Sequence, residues 1–248
     1  MYILGDIGNS KTKIFLVNSK DKIIKRIEFS TNDINEFELK KKFRLLISDI
    51  KKIEKILFCS VVPKAFVFIK KYLSKKVKIK CFEIKELNLS SLINIKVNYK
   101  QVGSDRLANA ISLIDGKKNF IILDFGTATT FDVLIGNNYK GGIISPGINL
   151  SLNTLSDKAS LIPKINLKKI SKVIGKDTKS AVRAGFFWGY AGLIDNIINL
   201  IKKETNKSFK VIITGGFSEL FKDSIKAKVK QDFDITINGL IRASKLIK

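Results

Sequence analysis

Tyr2-Ile-Leu-Gly-Asp6-Ile7-Gly8-Asn9-Ser10-Lys11-Thr12-Lys13-Ile-Phe-Leu-Val17 reads as an apolar strand, an Asp-x-Gly turn rich in hydroxyls, and a second apolar strand. The same design recurs at Ile121-Ile-Leu-Asp124-Phe-Gly126-Thr127-Ala-Thr129-Thr130-Phe-Asp-Val-Leu-Ile135, its aspartate 118 positions after the first (124 − 6). A carboxylate at a strand end can hold a metal ion or metal-bound water. Glycine lets backbone amides approach an anion, and hydroxyls add hydrogen bonds. One Asp-Gly turn alone is ordinary hairpin punctuation. Its duplication with matching flanks points instead to two hairpins that face each other and cradle a polyphosphate.

Outward from these hairpins, the chain reads as α/β throughout. The first half continues with strands at 23–29 and 56–61, and an amphipathic helix over 35–50 with Phe37, Phe43, Leu46 and Ile47 near one face. Pro63 opens a helix to about Leu73, a strand follows at 77–82, and a helix runs over 104–113. The second half adds a strand at 141–145, a long helix over 178–204, a strand at 211–214, a helix from about Ser218, a short strand and a closing helix. Strand hairpins leading into α/β crossovers, done twice, predict two similar α/β domains, 1–116 and 117–248, meeting at the polar turn Asp115 to Lys118 with the ligand between them. Three prolines and no Pro/Gly/Ser-rich linker imply domains packed directly together.

Composition narrows the chemistry. With 248 residues, 45% of them hydrophobic, the chain can fill a core without staples. Cys59 and Cys81 lack metal-ligand spacing and there is no histidine, which excludes a structural zinc site and a His-dependent triad. The cysteines read as buried thiols of a cytoplasmic protein. No basic-then-apolar leader opens the sequence. The longest low-charge run, 184–194, is far short of the roughly 20 residues that span a bilayer, so a membrane partner is not expected. A net charge of +24 invites a nucleic-acid reading. Yet the charge is mostly scattered lysine, with isoleucine and asparagine also abundant and arginine scarce, and no stacking platform or known module accompanies it. The pattern is that of compositional drift, and it argues against a nucleic-acid partner.

Neither Gly-x-Gly-x-x-Gly nor Gly-x4-Gly-Lys-Ser/Thr occurs, so phosphate must be held outside the Rossmann and P-loop solutions. Asp6 to Lys13 offers a carboxylate, a glycine, polar side chains and Lys11 or Lys13 for a β/γ-phosphate cradle. Gly103-Ser104-Asp105-Arg106 enters a helix. Ser104 or Asp105 can simply cap it, but a carboxylate beside a guanidinium also suits a kinase: arginine holds an anionic acceptor while aspartate takes a hydroxyl proton. Gly141-Gly142-Ile-Ile-Ser145-Pro146-Gly147 and Ile213-Thr214-Gly215-Gly216 place paired small residues at strand ends, where backbone can approach a base or sugar or merely turn. Gly185, Gly189 and Gly192 share one helix face, which reads as an interdomain contact, a subunit seam or core packing.

In order and spacing, Asp6-x-Gly-Asn-Ser10, Gly103-Ser-Asp-Arg106, Asp124-Phe-Gly-Thr-Ala-Thr-Thr130, Gly141-Gly-x-Ile-x-Pro-Gly147 and Ile213-Thr-Gly-Gly216 resemble the motifs of type III pantothenate kinase. The resemblance runs from about residue 3 to the closing helix. It implies the acetate and sugar kinase/actin-like superfamily: two ribonuclease-H-like domains with the active site in the cleft between them, adenosine contacts in the second. It also implies phosphorylation of pantothenate by ATP, the first step toward coenzyme A, in a cytoplasmic homodimer. By position it makes Asp6, Ile7, Gly8, Asn9, Ser10, Lys11, Thr12 and Lys13 the ATP phosphate loop and Thr127 a second nucleotide contact. Gly103, Ser104, Asp105, Arg106 and Thr178 become the pantothenate site, with Asp105 the general base. Asp124 becomes the ligand of a monovalent cation, potassium or ammonium, and Asp6 holds magnesium through water.

The chain departs from the family pattern at Lys96-Val-Asn98-Tyr99, where a Tyr followed by Asn-Pro is usual; Lys96 and Tyr99 are the candidate pocket residues there. It departs again at Asp177, which stands for the usual asparagine and is expected to face away from the substrate. Two other readings stay open. One is a catalytically idle relative serving as a regulatory or nucleic-acid-associated accessory protein, which the intact Asp6, Asp105, Arg106 and Asp124 argue against. The other is a same-fold kinase for another small hydroxy acid or sugar.

Overall fold

The computed structural model describes residues 1–47 and 52–247. In chain order the elements are β1 (Tyr2–Ile7), β2 (Lys11–Val17), β3 (Ile23–Ser30), α1 (Glu36–Leu46), β4 (Lys55–Ser60), α2 (Pro63–Ser74), β5 (Cys81–Glu83), β6 (Asn94–Ile95) and α3 (Ser104–Leu113). There follow β7 (Asn119–Phe125), β8 (Ala128–Ile135), β9 (Asn138–Pro146), α4 (Ile148–Lys158), α5 (Thr178–Thr205), β10 (Lys210–Gly215), α6 (Ser218–Phe221), β11 (Val229–Gln231) and α7 (Ile235–Ser244).

These elements form two compact units. The first takes Met1–Ile114, Asn137–Tyr139 and Asp234–Lys248, the second Asp115–Gly136 and Lys140–Phe233. The first division falls at the polar turn the sequence marks. The closing helix α7, which the expected 117–248 domain includes, is built into the first unit instead. Its Gly239 is why it fits: a Cβ there would lie 1.8 Å from the Ala108 carbonyl oxygen, so only glycine lets α7 seat against α3 at that depth.

The first unit is a five-stranded sheet in the order β3-β2-β1-β4-β5. β1 pairs antiparallel with β2 and parallel with β4. Alternation along β1 sorts the two faces. Ile3 and Ile7 join a core with Leu39 and Phe43 of α1 and Phe66 and Ile69 of α2. Leu4 and Asp6 point to the other face, where α3 and α7 pack. Local chemistry sets the helix starts: Asn35 accepts the Glu38 N–H ahead of α1, and Pro63 occupies the first turn of α2. Residues 48–50 of the expected first helix lie outside the described residues.

The strand expected at 77–82 is a correction: only Cys81–Glu83 pairs, opposite Ile56–Phe58 of β4. Val77 and Ile79 alternate with lysines and bury against the core without a ladder, so the period was that of packing, not of a strand. Asn138 and Tyr139 at the start of β9 pair parallel with β6 inside this unit.

In the second unit the strands follow the order β11-β10-β7-β8-β9. Ile121, Leu123 and Phe125 of β7 pack with Phe131, with Ile148 and Leu152 of α4, and with Phe187, Ala191 and Ile194 of α5. Phe221 stacks on both Phe125 and Phe187, at ring-centroid distances of 5.5 and 5.4 Å. Asp177 caps α5 by accepting the Ser180 N–H at 2.9 Å, and Ser180 returns the bond in a capping box. Within this unit, the Cβ positions at Gly185, Gly189 and Gly192 open onto free space, so α5 presents its glycine face without a packing partner there.

Candidate active site

The first unit gathers charge around Asp6. Register places Lys13 opposite it on β2 and Cys59 opposite it on β4. The Cys59 thiol donates to Asp6 Oδ1 at 3.5 Å. Burial holds that thiol well above its ordinary pKa, so it stays protonated and remains a donor. Burial also pushes the Asp6 carboxyl up to about 6. The negative Asp105 pushes the same way, while Lys13 and the thiol pull it back.

The turn after Asp6 is held by side chains. Gly8 N–H donates to Lys11 O at 3.0 Å and Thr31 N–H to Ser10 O at 3.0 Å, while the Thr31 hydroxyl donates to Gly8 O at 2.7 Å. The fully buried Thr12 meets Thr31 hydroxyl to hydroxyl at 2.9 Å. Thr12 therefore shapes the loop from beneath, whereas Asn9 and Ser10 are exposed at its tip. Lys11 is ion-paired with Glu28 on β3, which leaves Lys13 as the loop's cation beside Asp6. Thr31 is absent from the sequence reading; it sits after a strand with no motif around it, and only the fold brings it under Gly8.

Asp105 stands in the first turn of α3, its Oδ1 accepting the Arg106 N–H at 2.8 Å. The carboxylate folds back over Gly103, where a Cβ would lie 2.5 Å from Oδ1, so Gly103 is needed for this rotamer. Desolvation raises the Asp105 pKa, and the Arg106 N–H and guanidinium oppose it. Ser104 is buried beside this turn. Two desolvated carboxylates within electrostatic reach can do two things: accept a proton at a pH closer to neutrality, or share a cation. Among the described residues no three metal-ligating side chains gather. A divalent ion fits here in the manner of magnesium, on one or two carboxylates with water and phosphate oxygens as its other ligands.

Lys96 is exposed, its backbone N–H donating to Tyr139 O at 3.0 Å, and Tyr99 is half-buried, its hydroxyl donating to Lys85 O at 3.1 Å.

In the second unit Asp124 pairs in register with Thr130 on β8 and Thr214 on β10. Carboxylate and hydroxyl oxygens are the donor type a hard cation takes. Here backbone does the shaping. Gly215 has φ +85°, and a Cβ on it would lie 2.6 Å from Asp124 Oδ1 and from Phe125 N. A Cβ on Gly147 would lie 2.1 Å from Thr127 O, so the Gly141–Gly147 motif packs onto the Gly126–Thr127 turn, while Gly215 and Gly216 lie against Phe125. Of these glycines Gly216 opens onto free space and Thr127 is exposed. Thr178 is exposed in the first turn of α5, next to the capping carboxylate of Asp177.

With this geometry in view, a family model described as type III pantothenate kinase matches residues 2–200. A protein of Pelagibacter ubique named type III pantothenate kinase is 68% identical over 248 residues, covering the whole of both chains. Among solved structures, a ROK family glucokinase from Streptomyces griseus superposes with a TM-score of 0.53 at 13% identity, covering 99% of this chain and 98% of its own. The (R)-2-hydroxyglutaryl-CoA dehydratase component A of Acidaminococcus fermentans gives 0.53 at 12%, covering 100% and 99%. At such identities these two speak for the fold alone, the two-sheet α/β architecture described above.

Proposed function

This chain belongs to the type III pantothenate kinase family, and we propose that it transfers the γ-phosphoryl group of ATP to the hydroxyl of pantothenate, yielding 4'-phosphopantothenate for coenzyme A synthesis. The observation that carries the activity is the 68% identity running through both full lengths. The Asp6, Asp105 and Arg106 grouping supports the assignment of roles.

Phosphoryl transfer asks a protein mainly for in-line positioning and charge neutralisation. In the mechanism we propose, the Asp6 to Lys13 loop and Thr127 contact the nucleotide, with Lys13 offsetting phosphate charge. Arg106 pairs with the pantothenate carboxylate, and Gly103, Ser104 and Thr178 complete the substrate contacts. Asp105 accepts the proton of the attacking hydroxyl; its raised pKa, set by desolvation, makes it a stronger base than an exposed aspartate. Asp6 would hold magnesium through water, which supplies charge neutralisation to the phosphates when bound. Asp124 with its threonine neighbours would hold potassium or ammonium. A homodimer joined along the open glycine face of α5 and a cytoplasmic location complete the proposal. No described helix is long and apolar enough to cross a membrane.

The test is direct. Purified protein given ATP, magnesium, potassium and pantothenate should release ADP and 4'-phosphopantothenate in equal amounts. Silence across a panel of monovalent cations would overturn the reading, and turnover with a different hydroxy acid instead would reassign the acceptor.

A further inference from the structure

Lys85, Tyr99 and Glu83 converge on the segment that carries Asp105. Lys85, in the turn after β5, sends its ammonium to Val102 O at 2.7 Å and to Lys100 O at 3.3 Å. Tyr99 closes the link from the other side: its hydroxyl donates to Lys85 O, and its ring lies 5.3 Å beneath the same ammonium. Glu83 anchors the turn, its Oε2 accepting the Lys85 N–H at 2.7 Å. Burial raises the Glu83 pKa, and Ser104 of α3 and the Ser60 backbone at the end of β4, beside Cys59, pull it back.

The arrangement is not general surface adhesion. Val102 is buried and its carbonyl belongs to the peptide that leads into Gly103, the residue over which the Asp105 carboxylate folds. Rotating that peptide would swing Gly103 and carry Asp105 with it. A backbone carbonyl capped by an ammonium is a charge-assisted hydrogen bond, roughly twice as strong as a neutral one. The Lys85 ammonium is committed to the carbonyls of Val102 and Lys100, so its hold on Asp105 runs through the backbone.

We propose that Lys85 is a positioning residue for the transfer reaction, its ammonium clamping the carbonyls of Lys100 and Val102 so that Asp105 is presented to the acceptor hydroxyl. The inference rests on the kinase reading above. It also gives Tyr99 a part: the tyrosine serves the clamp, with its hydroxyl committed to Lys85 O.

The test compares Lys85→Met and Lys85→Arg with the unaltered protein. Lys85→Met should lower kcat with pantothenate by roughly tenfold to a hundredfold, as expected for a small misplacement of a reacting group, and leave the KM for ATP within about twofold. Lys85→Arg, which keeps a cationic donor, should recover most of the loss. The acid limb of the pH profile should stay where it is, because the base keeps its surroundings. Hydrogen exchange of the Gly103 to Arg106 amides should quicken in Lys85→Met while β1 and β2 are unchanged. An unaltered kcat, or exchange that does not quicken at those amides, overturns the clamp. Exchange loosened across the whole unit would also overturn it, assigning Lys85 to overall stability. If the unaltered protein does not phosphorylate pantothenate, the kinase reading fails on its own, and the exchange comparison still decides whether Lys85 holds the segment.

Discussion

The two Asp-x-Gly hairpins share a scaffold and spend it differently. In both, the aspartate ends a strand flanked by an antiparallel partner and a parallel one: Lys13 and Cys59 oppose Asp6, Thr130 and Thr214 oppose Asp124. Around Asp6 the turn is tied by the side chains of Thr31 and Thr12, and burial, reinforced by the negative Asp105, lifts the carboxyl pKa to about 6. Around Asp124 the turn is shaped by glycine backbone, with Gly147 and Gly215 pressed against Thr127 and Phe125. One turn is tied by side chains beside a desolvated carboxyl, the other by closely packed glycine backbone. Duplication supplied a frame, and the residues at matched register positions decided its use.

If the first region owns the chemistry, the largest single loss should come from its base. Asp105→Asn should lower kcat by about 10² to 10⁴ while ATP affinity and melting temperature hold, read by steady-state kinetics and calorimetry. Retained rate would remove the contrast.

If the second region depends on backbone closeness, Gly147→Ala should destabilise by about 2–4 kcal/mol, because its methyl collides with the Thr127 carbonyl rather than with a movable side chain. Gly8→Ala in the first hairpin should cost much less, its Cβ meeting Lys11 O at 3.2 Å. Denaturant melts of the two variants would break the comparison if they came out equal.

Asp6 should trade stability for function. Its pKa is about 6 when folded against about 3.9 unfolded, so the folded state binds more protons across that window. Its share of stability is therefore full below about pH 4 and is lost as pH rises through 6. At pH 8 Asp6→Asn should accordingly be more stable than the unaltered protein by on the order of 2–3 kcal/mol, and inactive. A variant that is less stable at pH 8 would show that the charges around Asp6 are better balanced than described. The smallest effect belongs to the loop tie: Thr31→Val should cost about 1 kcal/mol and weaken ATP binding several-fold, seen by titration calorimetry.

Much of this was legible in the chain. The paired hairpins, the Pro63 helix start, α3 with the span expected for it and the long α5 are written in local periodicity and punctuation. What escaped was set by distant partners. The alternation at 77–80 mimics a strand because Val77 and Ile79 bury, and only the reach of β4 tells that pairing begins at Cys81. The two-residue β6 has no periodicity to read. The destination of α7 hinges on one glycine meeting Ala108, a contact no window of sequence contains. Around Asp6 and Asp105, the charged motif residues could be singled out from the sequence. Thr31, Glu83 and Lys85 did not, since a threonine or lysine gains meaning only from the carbonyl it meets.

The seat of α7 on α3 has a bearing on biosynthesis. Translation delivers the Asp6 loop and α3 first, then the whole second unit, and only afterwards the helix that backs α3. The nascent first unit must therefore wait on the ribosome with the part of its sheet that α7 covers still bare. A premature stop before Ile235 would release a polypeptide holding every motif residue and still lacking the helix that backs α3.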